Sequence, residues 1–123
     1  MVRVRHIVDD VAKAVEFYVS NLDFVVERNF APAIAILARG DLTLLVSGPK
    51  ASASLPMLDG TIPTPGGGWN RFLLDFDDLE SVVAKLKANG AKFRNDILDG
   101  VGGKQVILED PFGNVIELTQ PRS

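Results

Sequence analysis

The feature that most constrains this chain is that it states one plan twice. Residues 2–8, VRVRHIV, alternate in polarity, with Val2, Val4, His6 and Val8 on one side and Arg3, Arg5 and Ile7 on the other, which is strand periodicity. Asp9-Asp10 then suits a helix start, and Val11, Ala14, Val15, Tyr18 and Leu22 form one apolar helical stripe. Residues 24–30, 34–38 and 42–47 read as three further strands, the last two joined at Arg39-Gly40-Asp41. The second half repeats the order. An apolar strand from Phe72 runs into Asp77-Asp78, a stripe of Leu79, Val82, Val83 and Leu86, and Gly90 just past the helix end. Asp77 and Glu80 have capping-box spacing. Strands are expected over 92–97, 105–108 and 114–119. The helices align with one offset, since 78 − 10 = 68 and 89 − 21 = 68; the final hairpins align through Gly40 and Gly113, where 113 − 40 = 73.

Two βαβββ modules predict an α+β domain in which two curved mixed sheets, each with a helix on one face, leave their other faces around a shared cavity. The expected boundaries are module 1 at about 1–47, a linker rich in Pro, Gly and Ser at about 48–68, and module 2 at about 69–120.

Composition narrows the function. A net charge of −3, with cations interleaved among acids, offers no stripe for nucleic acid. The absence of cysteine removes disulfides, thiolate metal sites and a cysteine nucleophile. The longest uncharged apolar stretch, 30–38, is too short for a membrane helix, and MVRVRHIVDD lacks a signal-peptide core. A soluble, cytoplasmic chain is expected.

The paired modules, the apolar-Asp-Asp-apolar helix starts, EFY in helix 1 and EDPFGNVIEL at 109–118 together resemble the vicinal oxygen chelate superfamily. That group includes glyoxalase I, extradiol dioxygenases and bleomycin-resistance proteins. In its metal-dependent members a ligand sits in the first and the last strand of each module. The resemblance places these positions at Arg3, Leu44, Arg71 and Glu117. A guanidinium has no lone pair to give and leucine has no donor, so one carboxylate remains, and no metal or other cofactor is expected. The resemblance implies a homodimer and two functional alternatives. One is a metal-independent binding protein, like the bleomycin-resistance branch, that sequesters a planar or amphipathic compound and confers antibiotic resistance. The other is a glyoxalase-like lyase or isomerase, or a dioxygenase-type enzyme, with an atypical metal site or with Glu117 as acid or base.

Individual residues carry two readings each. Glu117 and Arg71 suit an ion pair across neighbouring strands, either structural or orienting a ligand. Arg3 and Arg5 are solvated charges or attract an oxygen-rich ligand. Asp75 shares a face with Arg71 and either binds ligand or neutralises an arginine. Trp69, the single tryptophan, either stacks on a planar ligand or plugs the core end, with Leu44 and Phe30 as further apolar walls. His6, the single histidine, points by parity to the helix side and is expected to be packed there. GVGGKQ, 100–105, reads as a mobile loop.

Overall fold

The structure, a computed structural model, describes residues 2–122 and divides into two compact units, Met1–Gly66 and Gly67–Ser123. The first unit contains β1 (Val2–Ile7), α1 (Val11–Asn21), β2 (Val25–Phe30), β3 (Ile34–Arg39) and β4 (Leu42–Ser47), with one 3-10 turn at Ser52–Ser54. Its sheet runs β1-β4-β3-β2, with β1 parallel to β4 and the other pairs antiparallel. The Asp10 carboxylate accepts the Lys13 N–H at 3.1 Å and so caps α1. At the other end Asp23 adopts a left-handed φ of 62°, and the Phe24 N–H bonds the Tyr18 carbonyl. One face of the sheet carries Ala35, Leu37, Leu44 and Val46, which are fully buried together with Ala14, Tyr18 and Leu22 of the helix side. His6 belongs to this face: its Nδ1 lies 2.9 Å from the Tyr18 hydroxyl in a buried contact.

The second unit contains β5 (Phe72–Asp75), α2 (Leu79–Ala88), β6 (Lys92–Phe93), β7 (Leu98–Gly100), β8 (Gly103–Glu109) and β9 (Val115–Pro121). Its sheet runs β5-β9-β8-β6, with β7 also paired to β8 and β5 parallel to β9. Leu74, Val106, Leu108, Ile116 and Leu118 form the buried face, with Leu79, Val83 and Leu86 of α2 as the other half of that core. The N-cap is Asp78, whose carboxylate accepts the Ser81 N–H and hydroxyl, so the expected Asp77–Glu80 box is absent; Glu80 instead meets Lys104 at 3.1 Å. Gly90, at φ 82°, ends the helix in a Schellman arrangement, with Gly90 N–H to the Lys87 carbonyl and Ala91 N–H to the Leu86 carbonyl.

Two local differences separate the second unit from its expected four strands. The strand foreseen over 92–97 stops at Phe93, because the Asn95 side chain accepts the Ile107 N–H at 2.9 Å in place of a backbone carbonyl. The chain then starts β7, giving a fifth strand. GVGGKQ is therefore not a loop but a hairpin, with Gly100 paired to Gly103. Arg122 holds that hairpin through the Asp99 carboxylate at 2.7 Å and the Gly100 carbonyl at 2.9 Å. Gly103 is obligatory there, since at φ 129° an added Cβ would sit 2.2 Å from the Gln120 carbonyl.

The two closing hairpins also differ. Arg39 pairs with Leu42 around a two-residue turn, whereas Glu109 pairs with Val115 around five residues. The longer turn is built on the buried Asp110 carboxylate, which accepts the Phe112 N–H at 2.8 Å, the Asn114 N–H at 3.0 Å and the Asn114 side-chain amide at 3.0 Å. Among the described residues no helix is long and apolar enough to cross a membrane.

Candidate functional site

Alternation along β5, β8 and β9 sends Arg71, Leu73, Asp75, Ile107, Glu109, Val115, Glu117 and Thr119 to the face opposite α2. Glu117 lies mid-strand, with Leu73 and Ile107 as its lateral neighbours. Its side chain is 8% exposed, and Arg71 Nε donates to Glu117 Oε1 at 2.9 Å. The same guanidinium donates through Nη1 to the Trp69 carbonyl at 2.9 Å. Trp69 is 69% exposed as a residue, and its ring lies over the Arg94 guanidinium, 4.9 Å from ring centroid to Cζ. Arg94 in turn donates to Glu109 Oε2 at 3.0 Å and to the Gly68 carbonyl at 2.9 Å, and Lys92 approaches the other Glu109 oxygen at 3.8 Å. The result is a continuous network from Glu117 through Arg71 and Trp69 to Arg94 and Glu109.

Three of the sequence candidates, Trp69, Arg71 and Glu117, therefore meet in one place. Asp75 shares the face but lies four residues from Arg71 along an extended strand, about 13 Å away, and accepts the Thr119 hydroxyl. In the first unit Arg3 and Arg5 lie opposite α1, and Arg5 Nη1 donates to the Ser47 hydroxyl at 3.0 Å. Leu44 does not join them. It pairs with Val4 and Leu37, is fully buried in the core under α1, and cannot wall a site on the open face. The parallel pairing shows why. Leu73 faces Glu117, Arg5 precedes Leu73 by 68 residues, and Arg5 faces Leu45. The counterpart of Glu117 is thus Leu45, because the two-residue turn closes on a core-facing pair and the five-residue turn on an open-face pair. Arg94, Glu109 and Lys92 were missed at the sequence level. Their signal was the alternation of Lys92 and Arg94 opposite Glu109.

The donor set does not fit a divalent metal. Arg3 and Arg71 have no lone pair to donate, Leu45 has no donor atom, and an oxygen of Glu117 is engaged by Arg71. Among the described residues no three His, Cys, Asp or Glu side chains stand together to hold an ion.

Comparison with known proteins agrees with this architecture. The family model of the Glyoxalase/Bleomycin resistance protein/Dioxygenase superfamily matches residues 1–118. A glyoxalase/bleomycin resistance protein/dioxygenase family enzyme from Burkholderia phytofirmans superposes with a TM-score of 0.81 at 20% identity, covering 98% of this chain and 97% of that one. TnmS3, an antibiotic binding protein from Streptomyces sp. CB03234, gives 0.68 at 25% identity, covering 98% and 93%. A lactoylglutathione lyase from Agrobacterium tumefaciens gives 0.73 at 20% identity, covering 98% and 92%, a likeness of fold alone. No curated protein matches the chain. With the two modules in place and the family model spanning nearly the whole sequence, the chain belongs to the glyoxalase/bleomycin resistance protein/dioxygenase superfamily.

Proposed function

We propose that the protein binds a planar or amphipathic small molecule without a metal and without transforming it, as a sequestering protein of the bleomycin-resistance kind. The observation that carries this reading is the ion pair between Arg71 and Glu117. Where metal-dependent relatives are expected to present a ligand pair, this chain has a cation on the carboxylate. The likeness to an antibiotic binding protein at 25% identity supports the same reading. In it, Trp69 supplies apolar contact area, Arg71 and Glu117 orient polar groups, and Asp75 with Thr119 adds a second polar point. Arg3 and Arg5 give the first unit a cationic edge for an oxygen-rich ligand. The reading includes a homodimer, as the family resemblance implies.

Metal analysis of the purified chain tests it. The expected outcome is no stoichiometric divalent metal and no gain in thermal stability on adding zinc, nickel, manganese or iron(II). One metal per chain that raises the melting temperature overturns the reading in favour of a metalloenzyme.

A further inference from the structure

We propose that the exposed face of Trp69 is a stacking platform for flat aromatic ligands, and that Arg94 beneath it selects neutral and anionic ligands over cationic ones. The proposal rests on the binding reading above and adds the charge class of the ligand.

An exposed tryptophan alone means little, since single apolar side chains on a surface are ordinary. Trp69 differs in how it is held. Its carbonyl is fixed by Arg71, its ring lies over Arg94, and each guanidinium is anchored by its own carboxylate, Glu117 at 2.9 Å and Glu109 at 3.0 Å. The Gly68 carbonyl holds Arg94 from a further side at 2.9 Å. The backbone at Trp69 and one face of its ring therefore have partners before any ligand arrives, while 69% of the residue remains exposed. Preorganisation of this kind lowers the entropy lost on binding.

One face of the ring already interacts with a cation. A cationic ligand on the other face would compete for the same π electrons and meet the Arg94 charge across the ring. A neutral or anionic ring system meets neither penalty. The surroundings add to this preference. Arg71, Lys92 and Arg94 face Glu109 and Glu117, three cations against two carboxylates, in a chain whose net charge is −3. Asp110, next along the chain, is buried and committed to its own turn.

Two probes with one ring system and opposite charge test the inference: 2-naphthoate and 2-naphthylmethylammonium. Trp69 is the single tryptophan, so its indole N–H gives one resonance to titrate. Naphthoate is expected to bind about 5-fold tighter or more than the ammonium. Arg94→Gln should abolish that preference and Arg94→Lys should keep part of it, with circular dichroism as the check on folding. Equal affinity of the two probes, or tighter binding of the ammonium, overturns the charge selection while leaving the binding reading intact. If neither probe moves the indole resonance, the platform itself is wrong, and the metal analysis still judges the binding reading separately. The comparison of probes on the unmodified chain decides the matter even where a variant fails to fold.

Discussion

Removing the Arg71 guanidinium leaves the Glu117 carboxylate, 8% exposed, without the donor that sits 2.9 Å away. A fully buried pair broken in this way costs ~3–5 kcal/mol. Arg71 is 26% exposed, so solvent screens part of the charge, and Arg71→Ala is expected to lose roughly 2–3 kcal/mol in urea denaturation. The double variant Arg71→Met/Glu117→Leu should recover most of that, since it removes both charges and keeps apolar volume. A double variant no more stable than Arg71→Ala would mean that the pair's geometry, rather than the stranded charge, sets the loss. At this scale the sequence was informative wherever strand parity applied. Counting places His6 toward the helix, while the pairing of Arg71 with Glu117 comes from the family resemblance, which makes the first and last strands of a module neighbours. The alternation of Lys92 and Arg94 opposite Glu109 marks Arg94 as facing that carboxylate, but it does not show the ring contributed from 25 residues upstream.

Helix starts show a second kind of legibility. Two adjacent aspartates offered two possible caps in each module, and in both helices the second is used, as Asp10 and Asp78. The Ser81 hydroxyl, and after it the Ser81 backbone N–H, stabilises the charged form of Asp78 and lowers its pKa below the ordinary 3.8. A carboxyl whose folded-state pKa is depressed contributes stability above its unfolded value and loses it as pH falls through the folded one. The stability gap between the native chain and Asp78→Ala should therefore be full at pH 6–7 and close progressively below about pH 4. A gap that stays constant from pH 7 to pH 2.5 in thermal melts would show that the charge plays no part in the cap. The unforeseen fifth strand has a different origin. Alternation over 92–97 predicts one continuous strand, and nothing local reveals that the Asn95 side chain replaces a backbone acceptor.

On the scale of the molecule, the repeat determined most of what could be foreseen: two units of like order, each with a helix covering one sheet face. Periodicity and a 68-residue offset suffice for that. The segment before the second unit, by contrast, is held by local turn bonds, among them Met57 N–H to the Thr61 carbonyl at 2.7 Å, while its apolar side chains find little cover. Leu55, Met57, Leu58 and Ile62 are all exposed, and Leu58 is fully so. Limited chymotrypsin digestion is expected to cut first between residues 55 and 62, at a loop that buries little and tolerates nicking. A first cut inside α1, α2 or a sheet would contradict this.

The Asp110–Asn114 turn has a consequence for heredity as well as for folding. Strands alternate with a period of two, so the length of this turn sets which side of the sheet each residue of β9 meets. Losing or gaining one residue between Glu109 and Val115 would oppose that register, carrying the Glu117 carboxylate into the apolar layer beneath α2 and taking Ile116 and Leu118 out of it. A single-codon insertion or deletion there would reverse seven residues at a stroke.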